Sequence, residues 1–240
     1  MRKALRYHRL VDSVIEPMKR EIFIEKNRYI VATADDYRRN GGFSGHLLYE
    51  HGQNLRAIFE KYYSRVIKIM SREIRASVKQ EAKFSSWDRM LKKYIDRYAA
   101  DRAKETAITT QADIKRAIQE SFASGDPEET VIRDILTTRG ISAYRADTIA
   151  RTEMASAAMY ASTNTALDIQ SETQTQLKKY WVPVGDDRTR PAHADMMGSD
   201  GIDMNGYFEV GGERMFAPMD ESASPEMVIN CRCQLTYEMA

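Results

Sequence analysis

Apolar residues recur every three or four positions through the first half of the chain, a spacing that predicts amphipathic helices. Leu10, Val11, Val14, Ile15, Met18 and Ile22 form one stripe. Leu55, Ile58, Phe59, Tyr62, Val66, Ile69 and Met70 form a second, and Trp87, Leu91, Tyr94, Ile95 and Tyr98 a third. Asn40-Gly41-Gly42 breaks the first pattern, and Ser85-Ser86 offers caps for the helix that carries the third. The stripes are narrow. They fit either an ordinary bundle or one that completes its burial against a partner.

At Ser124-Gly125-Asp126-Pro127 the punctuation is sharp. Gly125 suits the left-handed residue that closes a helix, Asp126 suits the next cap and Pro127 its first turn. Val131, Ile132, Ile135 and Leu136 give that next helix its apolar face. Gly140 closes it, and Ser142 caps a further helix running through Arg151-Thr152-Glu153 to about Leu167. Its Ala150, Ala157, Ala158 and Ala161 permit close approach of a neighbouring helix. Beyond residue 170 the texture changes. Residues 178–184 predict a strand that ends in a turn at Gly185, and Val228-Ile229 lead into NCRCQLTY as a last strand. Glycines at 198, 201, 206, 211 and 212 punctuate the interval. The fold class is α+β: a long-helix region over 1–125, then a compact domain over 126–240 with helices and a small, mainly antiparallel sheet.

Charge sharpens this division. The net charge of +1 hides 26 Lys+Arg against 16 Asp+Glu in residues 1–125, and 10 against 19 in residues 126–240. A basic half joined to an acidic half predicts two surfaces with different partners. The basic helices suit a polyanion such as DNA, an acidic protein face, or simply a solvated helical surface. No run of about 18 apolar residues is present, so no membrane span is expected. The first residues, MRKALRYHRLVDSV, lack an apolar core, so no secretory signal is expected. The two cysteines, Cys231 and Cys233, lie too close for an unstrained disulfide, which favours reduced or metal-bound thiols.

Candidate chemistry gathers in DDRTRPAH (186–193) and NCRC (230–233). His193, Cys231 and Cys233 offer imidazole and thiolate donors of the kind zinc prefers, with Asp186, Asp187 or Asp195 available as a fourth ligand. The Cys-x-Cys spacing departs from the usual chelating pair, and the three side chains equally fit a hydrogen-bonded, packed core. Asp186 and Asp187 fit turn formation after Gly185, with Arg188 and Arg190 pairing to carboxylates. The enzymatic alternative is a metal-dependent hydrolase or nuclease using Asp186, Asp187 and His193. No nucleophile with its base and no phosphate loop accompanies them, so no catalytic residue is assigned.

Taken in order, Ala150-Arg151-Thr152-Glu153, Ala157, Asn164, Trp181, Asp187-Arg188-Thr189-Arg190, His193, Gly198, Phe208, Pro218 and Asn230-Cys231-Arg232-Cys233 form a distinctive series. Over residues 110–236 the chain resembles the phage Mu protein F-like family of minor head (head morphogenesis) proteins. The resemblance implies a virion component made in the host cytoplasm and seated at the portal vertex of the phage head. It implies a portal protein and other capsid proteins as partners, with non-specific contact to packaged DNA during assembly or ejection. It also implies a structural network of Arg151, Thr152, Glu153, Asp187, Arg188, Arg190, His193, Asn230, Cys231 and Cys233.

Overall fold

A computed structural model describes residues 2–42, 44–78, 84–137 and 143–239. Two long helices come first, α1 (Arg2–Asn40) and α2 (Gly45–Ser77). They are followed by α3 (Phe84–Tyr94), α4 (Ala100–Ala123), α5 (Glu128–Thr137) and α6 (Ala143–Thr173). The remainder holds β1 (Leu177–Val182), α7 (Pro191–Ala194), β2 (Ile202–Asp203), β3 (Phe208–Val210), β4 (Glu213–Met215), α8 (Pro225–Val228) and β5 (Gln234–Met239). Helices first and small antiparallel sheets second is the α+β arrangement the sequence predicts. Among the described residues, no helix is long and apolar enough to cross a membrane.

The helix ends follow backbone chemistry. Gly41 takes φ 64°, and its N–H donates to the Tyr37 carbonyl at 2.8 Å, closing α1. Gly125 takes φ 72°, and the Asp126 N–H donates to the Ser121 carbonyl at 3.1 Å, closing α4. The Pro127 carbonyl then accepts from the N–H groups of Thr130 and Val131, which opens α5. Helix α3 begins at Phe84, so Ser85 and Ser86 lie inside its first turn rather than ahead of it. Such a difference of one or two residues is ordinary at helix ends. Gly140 and Ser142 lie outside the described residues.

One element is absent from the periodicity. Residues Ile95–Ala99 form a π-helical turn between α3 and α4. A π turn holds one extra residue and so rotates the buried stripe about the helix axis. From its last residue onward the buried positions are Ala99, Ala103, Ala107, Thr110, Ile114, Ile118 and Ser121, while Ile95 and Tyr98 are only half-buried.

The chain divides into two compact units: Met1–Ile15 with Tyr62–Tyr94 and Arg151–Ala240, and Glu16–Lys61 with Ile95–Ala150. In the second, Tyr29, Ile30, Ala34 and Tyr37 of α1 pack with Ile114 and Ile118 of α4 and Val131, Ile132 and Ile135 of α5. The His51 ring stacks on Tyr29 at 4.3 Å, and its Nδ1 lies 2.8 Å from Glu25, which also takes a two-pronged bond from Arg28. In the first unit the part of α6 from Arg151 onward is buried almost all round. Met154, Ala157, Ala158, Ala161, Ser162, Thr165 and Ala166 are all enclosed, and small side chains let neighbours close on this helix. The Thr165 hydroxyl donates to Ser71 at 3.0 Å, the Arg75 guanidinium forks onto Glu172, and Tyr237 meets Ser162 at 2.9 Å.

Each unit also encloses a lysine. Burial pushes Lys26 down to about 6, with Arg145 adding to the shift, and burial pushes Lys179 down to about 8. Both values lie below the unfolded lysine value of about 10.4. Above the folded value the unfolded chain binds more protons than the folded one, so stability rises with pH up to about 10. Each lysine contributes at most about 1.4 kcal/mol per pH unit in that window. Thermal unfolding is expected to show a higher Tm at pH 9 than at pH 7. Lys26→Met is expected to remove most of the rise.

Candidate metal centre

Strand β1 is the platform of the site. It pairs antiparallel with β5 along its whole length, from Leu177 opposite Met239 to Val182 opposite Gln234, and with β2 on its other edge. Its inward residues Leu177, Lys179 and Trp181 alternate with more exposed neighbours, the period-two pattern of a half-buried strand. The Lys179 ammonium lies over the Phe216 ring at 3.4 Å and donates to the Phe216 carbonyl at 2.8 Å. Trp181 meets the edges of Phe208 on β3 and His193 on α7, with ring centroids 5.5 and 5.6 Å away.

His193 is held by two short devices. Arg190 and Pro191 start α7, where proline is pre-set for a first turn. The hairpin β3–β4 turns through Gly211 and Gly212, at φ 60° and 84°, which is the backbone of a tight type I′ turn. A Cβ on Gly211 would lie 2.8 Å from the Ala192 Cβ, so this glycine lets the hairpin close against α7. Gly211→Ala is expected to cost about 1–3 kcal/mol through its left-handed φ and this clash. Gly212→Ala meets no neighbour and is expected to cost less. Urea melts of the pair measure the difference.

The second half of the site is the NCRC turn. The sequence pattern predicts it as strand, but β5 begins only at Gln234. Asn230 is left-handed at φ 58°, and the Cys231 N–H donates to the Val228 carbonyl at 3.0 Å, so the chain turns here before it can pair. The Asn230 N–H donates to the Thr152 hydroxyl of α6 at 3.2 Å. Cys231 and Cys233 are then buried on one side, while Arg232 points the other way. That alternation is how a Cys-x-Cys spacing brings two thiols together.

The result is a buried cluster. The His193 Nδ1 lies 3.6 Å from the Cys231 sulfur and 3.3 Å from the Cys233 sulfur. The three donor atoms all fall within 4.8 Å of one another. The His193 Nε2 is buried without a hydrogen-bond partner among the described residues. The hydrogen bond between the thiols divides their acidities. Cys231, accepting from Cys233 and lying beside His193, is held well below the ordinary thiol range, and Cys233 is pushed up by that contact and by burial.

The acidic residues of DDRTR do not join this cluster. Asp186 takes both prongs of the Arg232 guanidinium, at 2.6 and 2.5 Å. It also accepts from the Thr189 hydroxyl and the Arg188 N–H. The Arg232 guanidinium first, and Thr189 after it, hold the Asp186 carboxyl well below the usual carboxylate range. Stability from this pair is full above the unfolded aspartate value of about 3.9 and falls away as pH drops below it. Asp187 and Asp195 are exposed. The Arg190 guanidinium bonds the Ile229 carbonyl, tying the start of α7 to the end of α8. Arg188 is largely exposed, 3.7 Å from Asp186. On α6, Arg151 pairs with Asp12 at 3.5 Å and Glu153 accepts the Tyr63 hydroxyl.

Arg232→Ala is expected to destabilise by about 1–2 kcal/mol, a charge-assisted bond discounted for partial exposure. The loss shrinks when Asp186 is already Ala, and a double-mutant cycle measures it. The sequence pattern predicts neither the pairing of Asp186 with Arg232 and Thr189 nor that of Tyr63 with Glu153. Only the flanking of Arg232 by two inward cysteines marks it as a residue forced outward.

The arrangement is a knot of covalently distant segments: β1, the DDRTR turn, α7, the NCRC turn and α6. The match to known proteins falls on the same segments. The family model described as phage Mu protein F like protein matches residues 112–236, just over half of the chain. No curated protein and no solved structure is similar enough to count as a match. The residues that knot the site together lie almost wholly inside the matched span, and the chain belongs to the phage Mu protein F-like family of head morphogenesis proteins.

Proposed function

We propose that this protein is a minor head protein of a tailed phage or prophage, acting in head assembly at the portal vertex. The observation that carries the reading is the family match over residues 112–236. The charge division supports two contact surfaces. The basic region 1–125 suits the phosphates of packaged DNA, bound without sequence preference. The acidic segment 126–240 suits basic faces of the portal protein and other capsid proteins. The chain is expected to co-purify with the portal protein and to be found in finished particles. Its absence from both would overturn the reading. A gel shift with plasmid DNA that weakens steeply with salt tests the DNA contact.

Within this reading the His193, Cys231 and Cys233 cluster is a zinc clasp. Bonds of about 2.0–2.1 Å to nitrogen and 2.3 Å to sulfur at tetrahedral angles put the two donors about 3.6 Å apart. The observed separations are 3.6 and 3.3 Å. A metal there would cross-link α7 to the turn before β5. The hydrolase alternative is less favoured, since Asp186 is already committed to Arg232 and Asp187 is exposed away from the donors.

A further inference from the structure

Zinc takes four ligands, and the cluster supplies three. Among the described residues, no other His, Cys, Asp or Glu joins the three within reach. A cleft of about 10 Å³ opens beside them, lined by His193 and Cys233 but not by Cys231. That volume is about the least that holds one water, so a ligand entering from solvent reaches the metal position end-on, with a single donor atom. Arg188, Arg190 and Arg232 line the same cleft, and no carboxylate does. Asp186 offsets Arg232, so Arg188 and Arg190 carry the net charge of the mouth. Small clefts lined by one sign of charge concentrate the opposite ion.

We infer that the fourth position of a metal held by His193, Cys231 and Cys233 is filled from solvent through this arginine-lined cleft, by water or a small anion. The inference rests on the zinc reading. A closed structural site takes all four ligands from protein, whereas three protein ligands leave one position that exchanges. The cleft makes that position reachable, and the guanidiniums select a negatively charged occupant over a neutral one.

The test uses the full chain loaded with cobalt(II), whose visible absorption reports its ligands, titrated with thiocyanate. One cobalt per chain is expected, with bands that shift and saturate as thiocyanate is added. Arg188→Gln is expected to keep its cobalt and bind thiocyanate about two- to five-fold more weakly, the range of one exposed charge. Bands unmoved by thiocyanate overturn the inference and leave the zinc reading standing. A chain that takes up neither cobalt nor zinc overturns both, and metal content separates the two failures. Unchanged affinity in Arg188→Gln overturns the selecting role of the arginines.

Discussion

Trp181→Ala is expected to destabilise the chain by about 3–5 kcal/mol, the range for deleting a large enclosed aromatic. Trp181 is 2% exposed on β1, the strand to which both β2 and β5 pair. Its ring touches β3 through Phe208 and α7 through His193. Each edge-to-face contact adds about 0.5–1.5 kcal/mol beyond the area buried. The cavity left by alanine would lie among short elements that carry few other anchors, namely three residues of β3 and four of α7. Trp181→Phe keeps most of the volume and is expected to lose less than half as much. The check is a urea melt in which the midpoint falls while the slope stays constant. Losses below about 1 kcal/mol for alanine would mean that β1 is not the platform of this domain.

The long helices were legible because burial over 20 or 30 residues writes a repeated pattern. The stripe from Val11 to Ile22 is buried at nearly every position, as are Leu55, Phe59, Tyr62, Val66 and Met70. The alanines of α6 predicted close packing for the same reason, and all four are fully enclosed. Short elements write no such pattern. Strands β3 and β4 have three residues each, too few to show alternation, and the π turn at Ile95–Ala99 leaves no compositional mark. Val228-Ile229 ahead of NCRCQLTY predict one continuous strand, yet a single left-handed residue, Asn230, turns the backbone first. Pairings across long separations were equally invisible. Asp186 and Arg232 are 46 residues apart, and Tyr63 and Glu153 are 90 apart. The gathering of His193 with Cys231 and Cys233 was legible only because those residue types are scarce and chemically alike in what they bind.

Converting both thiols, Cys231→Ser/Cys233→Ser, is expected to remove about one zinc per chain and lower Tm by about 6–20 °C in the zinc-loaded protein. Structural zinc in isolated fingers supplies about 10–16 kcal/mol of apparent folding energy. Here β1, β5 and α6 already have a packed core, so the share should be smaller, about 3–5 kcal/mol. At about 2–4 °C per kcal/mol for a chain of this length, that is the expected shift. A chelator separates metal from packing. It should lower the Tm of the wild-type chain by nearly the same amount and leave the double variant unmoved. If the cluster were only hydrogen-bonded, each serine would replace a small buried group by one of similar size at about 1 kcal/mol, and the chelator would do nothing. The same pair of melts also tests the geometry. Loss of zinc leaves α7 held to the chain before β5 by the weaker contacts of His193 with the two thiols and by Arg190 on the Ile229 carbonyl. Arg190→Ala should therefore cost more in the chelated protein than in the loaded one, since the Arg190 bond then carries a larger share of the link.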